Sequence, residues 1–203
     1  MPKFITIYCF CFSLVLASCK KDTVQVHPLP AEAYSFMSFD FEYMLSSLGG
    51  SRYEWKIMPG YYYSKTEELN DISKGTQALR YGVYATFCDA KFEITTPVYS
   101  GSEELLNTVL TVGKKQIGYG SDQFSINMIQ ANDTWPALGR NTTEGPQPGS
   151  RFEIVKTKKI YDKSVGKNYL MVWIIFDCKM YRISDSIVTD LKQGNMIAKF
   201  YEF

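Results

Sequence analysis

Apolar and polar residues alternate with a period of two along most of the chain beyond residue 33, which is the pattern of strands with one buried face. The first two apolar series flank the glycine-rich stretch SSLGGS and consist of Phe39, Phe41, Tyr43 and Leu45, then Tyr53, Trp55 and Ile57. This predicts a hairpin. A helix ending at Gly49 is the alternative, because Met37, Phe41, Leu45 and Leu48 also share one helical face.

Later segments continue the strand pattern. ALRYGVYATFC (78–88) and KFEITTPVY (91–99) are predicted to pair, and QFSINMI (123–129) alternates cleanly. RFEIVKTKKIY (151–161) is predicted to turn through DKSVGKN into YLMVWIIFDCKMY (169–181). Since that segment is almost wholly apolar, we expect it to be a central strand, and NMIAKFYEF (195–203) is the predicted closing strand.

Between these strands the chain is more polar. The stretches 59–77 and 134–150 are predicted connections because of their polar, proline and glycine content, and 185–194 is predicted to be a turn or one helical turn. SEELLNTVLTVG (102–113) is the best helical candidate, with Ser102 as the expected cap. Its apolar face comprises Leu105, Leu106, Val109 and Leu110.

Six to nine short strands without regular strand–helix alternation predict a mainly β protein. We expect a single antiparallel β-sandwich, with a barrel as the alternative and at most one or two short helices. The composition agrees, because 15 Tyr and 13 Phe among 203 residues favour strands, and 45% hydrophobic residues are enough for a core.

The overall charge is balanced. The chain has 22 Lys and Arg against 21 Asp and Glu, with no long run of one sign. This predicts no basic surface for neutralising phosphates, and therefore no nucleic acid partner.

The N-terminus reads as a signal peptide: a charged MPK, an apolar run, and then small residues before Cys19. The uncharged run from Phe4 to Ser18 is shorter than the ~20 residues that a spanning helix needs. Leu16 to Cys19 (LASC) resembles the lipobox of bacterial lipoproteins. The resemblance implies cleavage after residue 18, a diacylglycerol on the Cys19 sulfur and usually a third acyl chain on its amine.

These observations predict three segments: a signal peptide (1–18), a lipidated N-terminus with a flexible tether (19–33) and one globular domain (34–203). The tether contains the only histidine, His27, which has no partner for metal binding nearby. Lys20 follows the cysteine where an aspartate would hold such lipoproteins at the inner membrane, so the resemblance favours the outer membrane. A periplasmic and a surface-facing orientation both stay open.

The C-terminal half, from FEIVKTKKIY to LKQGNMIAKF, resembles uncharacterised lipoproteins of Bacteroidota whose domains have no assigned function. These families place a strand with an apolar run near the end, then a glycine-containing turn and a closing strand, behind a lipobox. The resemblance implies no activity and supplies no catalytic residues.

Cys88 and Cys178 are the two cysteines left for the mature fold, since Cys9 and Cys11 lie in the predicted signal peptide and Cys19 carries lipid. A pair in an exported protein is a candidate disulfide. Strand parity places Cys178 on the inward face but allows Cys88 to point the other way. Two buried free thiols are the alternative.

No catalytic group, cofactor site or metal site is predicted. The chain has no histidine base for a nucleophile and no metal-ligand spacing, and GKKQIGYG (113–120) lacks the strand and helix context of a phosphate loop. Glu42, Glu54 and Asp177 are the carboxylates that a glycoside hydrolase would need, but one sequence cannot show whether two of them face each other.

Exposed aromatic residues are the remaining candidate for binding. Tyr61, Tyr62, Tyr63 and Trp135 are predicted in connections and would form a platform for sugar rings or an envelope protein, although at least every second one is expected in the core. The sequence thus favours a noncatalytic, membrane-anchored binding or structural lipoprotein. A carbohydrate-binding accessory lipoprotein of a glycan-uptake system is the alternative, and a glycoside hydrolase is the third candidate.

Overall fold

Strands dominate the described part of the chain, as the alternating pattern predicts. The computed structural model describes residues 42–57, 61–71, 76–86, 88, 90–130, 139–185 and 187–201. The predicted signal peptide, the tether and Trp135 lie outside these residues. Within the described ranges, none of the helices has the length and apolar character needed to cross a membrane.

Eleven strands are present among the described residues. They are β1 (Tyr43–Leu48), β2 (Ser51–Lys56), β3 (Tyr62–Asp71), β4 (Thr76–Ala85), β5 (Lys91–Thr95), β6 (Gly113–Lys115), β7 (Ser125–Ile129), β8 (Arg140–Asn141), β9 (Arg151–Asp162), β10 (Lys167–Arg182) and β11 (Val188–Tyr201).

All strand pairs of this sheet are antiparallel. The order is β2-β1-β11-β10-β8-β7-β5-β4-β3, and β9 pairs with the first part of β10 and carries β6 on its other side. The first and last strands among the described residues are therefore neighbours, because β1 lies between β2 and β11.

The sheet curls into a half-barrel. Its β3 end returns towards β11, where the Thr66 hydroxyl donates a hydrogen bond of 2.7 Å to the carbonyl of Lys199. Inside the curl, the ring of Tyr81 on β4 contacts Phe200 on β11, with centroids 5.8 Å apart. The mainly antiparallel β prediction is confirmed, and the curled sheet corresponds to the barrel-like alternative.

Aromatic rings fill the centre of the curl. Phe92, Phe176, Phe152 and Phe124 come from four different strands or loops and form a continuous series, with successive centroid distances of 5.7, 6.4 and 4.6 Å. All four side chains are almost fully buried. Burial of large rings supplies much of the hydrophobic stabilisation of such a core.

Strand β10 is buried on both faces, which confirms the prediction of a central strand. Its even-numbered residues from Leu170 to Met180 face the main core, whereas Met171, Trp173 and Ile175 belong to a second cluster with Tyr43 and Ile197. The two faces explain why this segment lacks the alternation of a half-buried strand.

The first hairpin is confirmed, and the helical alternative is wrong for the described residues. β1 and β2 are joined at Gly49 and Gly50, which have φ values of 56° and 88°. Glycine adopts this left-handed region without the steric cost of a Cβ, and two such residues form the tight turn that matches the twist of a hairpin.

The predicted helix is present but short and differently capped. It consists of α1 (Ser102–Glu104) followed by a π-helical turn (Leu105–Val109), with Leu105, Val109 and Leu110 buried. Gly101, not Ser102, occupies the N-cap position, and no side chain caps the helix. The Glu104 carboxylate instead accepts a 2.6 Å hydrogen bond from the Ser100 N–H.

Two predicted connections are strands. The stretch 59–77 contains β3, which pairs with β4 along its whole length from Tyr62 to Asp71. The predicted turn at 185–194 contains the first part of β11, which pairs with β10 from Val188 onwards. β11 bulges at Gln193, the only described residue other than glycine with a positive φ, at 54°.

A polar cleft and an aromatic edge

A cleft lies between two loops next to β6 and β9. It has a volume of about 670 Å³, within the range of small-molecule sites. One wall is the stretch 115–120 with Gln123, and the other comprises residues 145–147 and Ser150. The first wall includes most of GKKQIGYG, so this glycine-containing segment lines a cleft.

Gln147 fastens one wall to the sheet. Its side-chain amide donates hydrogen bonds to the carbonyls of Thr142 and Lys179 at 3.0 and 2.9 Å. Its oxygen accepts hydrogen bonds from the Lys179 N–H and the Ser150 hydroxyl, both at 2.9 Å. Because the Gln147 side chain makes all four of these hydrogen bonds, the loop is held against β10 without pairing as a strand.

Tyr181 of β10 also packs against this wall. Its hydroxyl donates a hydrogen bond to the carbonyl of Pro146, and its ring lies where a Cβ on Gly145 would be. A side chain at position 145 would therefore displace the ring from beneath the loop. Gly145, Pro146 and Gln147 form a rigid wall because each is tied to β10.

The opposite wall is closed by backbone contacts. The Phe124 N–H donates to the Gln116 carbonyl, and the Gly118 N–H donates to the Phe124 carbonyl, each at 2.9 Å. Gly118 has a φ of 153°, and a Cβ there would overlap the Gln123 amide. Glycine at 118 thus keeps Gln123 in the cleft.

The cleft is rich in amides and lacks acids. Gln116 and Gln123 contribute side-chain amides, Ser150 a hydroxyl and Lys115 an ammonium group, and no Asp or Glu is among the described lining residues. The Gln147 amide also lines the cleft, but its four hydrogen bonds are made within the fold. Tyr119 lies at the rim with 82% of its surface exposed. Amide groups that both donate and accept, beside a free aromatic ring, suit a neutral ligand with many hydroxyl groups.

The predicted aromatic platform is divided by strand alternation. Tyr61 and Tyr63 are more than half exposed, whereas Tyr62 between them packs partly against the main core. Tyr63 stacks on Tyr84 of the neighbouring strand, with centroids 5.3 Å apart and an interplanar angle of 18°. The structure therefore brings Tyr63 together with Tyr84, which the sequence did not single out.

A buried carboxylate lies below this tyrosine pair. Glu93 accepts hydrogen bonds from the Tyr84 hydroxyl at 2.9 Å, the Asn127 amide at 2.7 Å and the Lys91 ammonium at 3.0 Å. Burial tends to raise the pKa of Glu93, but these three donors outweigh it and keep the pKa below its ordinary value. Burial and the same carboxylate raise the pKa of Tyr84.

The two cysteines are both free in the structure. Cys178 is buried on the inward face of β10, as parity indicates, and burial raises the pKa of its thiol. Cys88 lies beyond the end of β4 and is exposed. The arrangement thus has free thiols, as in the alternative to the disulfide, but only one of them is buried.

The three candidate carboxylates have separate contacts. Glu42 accepts a 2.9 Å hydrogen bond from the Tyr81 hydroxyl, and Asp177 accepts one of 2.7 Å from the backbone of Gln193. Glu54 lies on β2, separated from β10 and Asp177 by two intervening strands. The backbones of Glu54 and Asp177 are therefore about 14 Å apart at the usual strand spacing.

Potential metal ligands are also scattered in the described part of the chain, where no group of three His, Cys, Asp or Glu side chains comes together. The cleft was not predicted from the sequence because its walls come from separate loops and glutamines have no diagnostic spacing. The only local signal was the pair of glycine-rich stretches, 113–120 and 145–149.

Comparison with known proteins adds no relative. The chain matches no family model, no curated protein and no solved structure. The resemblance to lipoproteins of Bacteroidota therefore stays a prediction from the sequence.

Proposed function

We propose that this protein is a noncatalytic, lipid-anchored binding module of the outer membrane. The anchor is a diacylglycerol on Cys19, predicted from the signal peptide and the LASC sequence. Acyl chains there hold the domain at a bilayer, since several chains give stable anchoring where one alone does not.

We propose a carbohydrate as the ligand of this module. The observation that supports this choice is the polar cleft, with the amides of Gln116 and Gln123, the Ser150 hydroxyl and the exposed ring of Tyr119. Sugar hydroxyl groups both donate and accept hydrogen bonds, as amides do, and a sugar ring has an apolar face that stacks on tyrosine. An accessory lipoprotein of a glycan-uptake system requires such a site.

A glycan binding screen tests this proposal. For any glycan that binds, Tyr119→Ala is expected to weaken binding about ten-fold, because it removes the stacking surface. Tyr161→Ala is the matched control, since Tyr161 is also an exposed tyrosine, at 58%, but is not among the lining residues. Absence of binding to all glycans, or equal losses in both variants, would contradict the carbohydrate proposal.

A protein partner at the aromatic edge is the second candidate. Tyr61 and Tyr63 are exposed at the start of β3, which is the last strand of the sheet order. Tyrosine contributes large contact area with little loss of conformational freedom. Capture of an envelope protein by wild type and Tyr119→Ala, but not by Tyr61→Ala with Tyr63→Ala, would favour this candidate.

Metabolic labelling tests the anchor separately. A fatty-acid label is expected in the wild type and absent from Cys19→Ala, because only the Cys19 thiol accepts the diacylglycerol. Cys88→Ala is the control and should label as the wild type does. Equal labelling of Cys19→Ala would refute lipidation at this residue while leaving the cleft proposal intact.

A further inference from the structure

The far end of the β9–β10 hairpin is strongly basic, although the chain as a whole is nearly neutral. We call residues 156–169 the basic hairpin end. It contains five lysines and one acidic residue, Asp162; the lysines are Lys156, Lys158, Lys159, Lys163 and Lys167. The whole-chain count conceals this cluster, because acids elsewhere balance it.

The single acid is already engaged within the fold. Asp162 forms an ion pair of 3.1 Å with Lys199 of β11. It also accepts hydrogen bonds from the backbone N–H and the hydroxyl of Ser164. The Lys199 ammonium also lies 4.2 Å from the ring centroid of Tyr169. Because Lys199 balances Asp162, the acid does not offset the lysines of the hairpin.

The turn itself exposes lysine beside apolar surface. All residues from Lys163 to Asn168 are exposed. Val165 at the tip has 52% of its surface exposed, and Tyr161 on the adjoining strand is exposed as well. A tip that combines cations, an aliphatic side chain and a tyrosine suits the interface between water and phospholipid headgroups.

Strand direction places the turn at the end of the sheet where the chain enters the fold. Tyr43, the first residue of β1, pairs with Ile197, and Ile197 pairs with Trp173. β1 and β10 run in the same direction, since each is antiparallel to β11. The turn at Lys167 lies six residues before Trp173 on β10, so it projects about 20 Å beyond the row of Tyr43.

The anchor allows this end to reach the bilayer. Cys19 precedes Tyr43 by 24 residues, and a chain of that length spans at most ~80 Å. The chain enters β1 at Tyr43 from the same side as the basic turn. A bilayer that holds a lipid on Cys19 is therefore within reach of the basic turn. Anionic phospholipids attract such a cluster, each lysine contributing a factor of about five to binding.

We propose that the basic hairpin end docks on the anionic phospholipid surface to which the Cys19 lipid attaches the chain. Lys163 and Lys167 pair with headgroup phosphates, and Val165 and Tyr161 lie at headgroup depth. Docking fixes the orientation of the domain on the membrane. This inference rests on the proposed lipid anchor but not on the carbohydrate ligand.

The full lipidated protein, reconstituted in vesicles, provides the test. In a Cys88→Ser background, an environment-sensitive dye is attached at Val165→Cys or at the control position Val188→Cys. Val188 is a matched site because it is 49% exposed and begins β11 at the opposite end of the strand from Phe200. The vesicles contain phosphatidylcholine alone or with phosphatidylglycerol.

We expect a blue shift only for the dye at position 165, only with phosphatidylglycerol, and reversal by high salt. Lys163→Gln with Lys167→Gln should weaken docking about 25-fold, as two factors of five predict. Lys114→Gln with Lys192→Gln removes the same charge from β6 and the far part of β11, and should leave docking unchanged.

Three results would overturn the proposal: equal shifts at 165 and 188, a shift that does not require phosphatidylglycerol, or no effect of the lysine pair. A shift produced by a soluble polyanion but not by vesicles would assign the surface to another partner and also overturn it. Failure of the anchor is distinguishable, because the protein would then not co-float with vesicles at all.

Discussion

Two adjacent residues of β11, Gln193 and Gly194, have opposite steric requirements. Gln193 adopts a left-handed φ of 54°, which costs a residue with a Cβ roughly 1–2 kcal/mol. Gly194 has ordinary backbone geometry, but the ring of Phe176 occupies the place of its missing Cβ. The glycine is therefore required by packing at 194, whereas the backbone would prefer glycine at 193.

We expect substitutions at these two positions to change stability in opposite directions. Gly194→Ala should lower the free energy of unfolding by about 1–3 kcal/mol, because the added methyl group overpacks a core ring. Gln193→Gly should raise it by up to about 1 kcal/mol, since glycine relieves the strained φ. Denaturant midpoints measure both changes; a Gly194→Ala midpoint equal to that of the wild type would contradict the packing argument.

Glu93 is a charged residue that is buried in the sheet and hydrogen-bonded on several sides. Its side chain is almost fully buried and has three donors, so the charged form is favoured in the fold. Because its folded pKa lies below the unfolded value of about 4.3, its contribution is complete above that pH and is lost as the pH falls through the folded pKa.

Glu93→Gln should therefore lower stability at neutral pH by about 1–3 kcal/mol, because an amide cannot accept all three hydrogen bonds. The difference from the wild type should shrink as the pH falls below about 4. Unfolding curves across this range measure the effect. Glu153→Gln is the control, since 24% of the Glu153 side chain is exposed against 4% for Glu93. A pH-independent difference for Glu93→Gln would argue against the charge network.

At the level of elements, loops without regular pairing are held by a few side chains. The wall of the cleft at 145–150 depends on Gln147 and Tyr181, both of which contact backbone groups across the loop. A loop attached in this way keeps a cleft open without a ligand. The attachment, not the loop sequence, determines the shape of the site.

Gln147→Ala should loosen this wall. We expect faster hydrogen exchange of the Lys179 amide and a stability loss of about 1–2 kcal/mol, because backbone groups of Thr142 and Lys179 lose their partner. Glycan binding should fall as well. Gln116→Ala, on the opposite wall, is the control for hydrogen exchange only. Equal protection of the Lys179 amide in wild type and Gln147→Ala would refute the role given to Gln147.

How far sequence predicts an element depends on where its stabilising contacts lie. The β9–β10 hairpin was predicted because its long apolar strand and polar turn are local signals. β3 was missed because it is an edge strand in which none of the side chains described, from Tyr62 to Asn70, is fully buried, so its stability comes from pairing with β4. The start of β11 was missed because it is polar and its bulge at Gln193 and Gly194 resembles a turn signal.

The candidate site was less predictable than the fold for the same reason. Alternation alone indicates that Tyr61 and Tyr63 share a face that Tyr62 does not. In contrast, the stack of Tyr63 on Tyr84 and the approach of Gln147 to Lys179 depend on strand register and on contacts 32 residues apart. The cleft is formed by glutamines, glycines and a tyrosine, and no spacing of these residue types along a sequence predicts a binding site.

At the level of the whole molecule, one strand connects two clusters of apolar side chains. β10 contributes residues to the main core and to the second cluster on the other face. Disruption of β10 would expose both clusters, so we expect this strand to open only on global unfolding. The reactivity of Cys88 and Cys178 measures the opening of β10, because only Cys178 lies in this strand.

A thiol reagent should modify Cys88 rapidly in the folded protein and Cys178 only under denaturing conditions. Burial protects the Cys178 thiol sterically and also raises its pKa, which lowers the fraction of reactive thiolate. Mass spectrometry of modified peptides with and without denaturant measures both rates. Loss of both free thiols in unreduced native protein would instead indicate the disulfide.

The pairing of β1 with β11 has a consequence for the order of assembly. The strand that begins at Tyr43 has its partner about 150 residues later in the chain, and β11 fills the gap between β1 and β10. While the chain emerges, β1 and β10 each present an unsatisfied edge, which attracts other chains. The sheet is therefore completed only after β11, up to Tyr201, has been released, and until then the two edges are open to pairing with other chains.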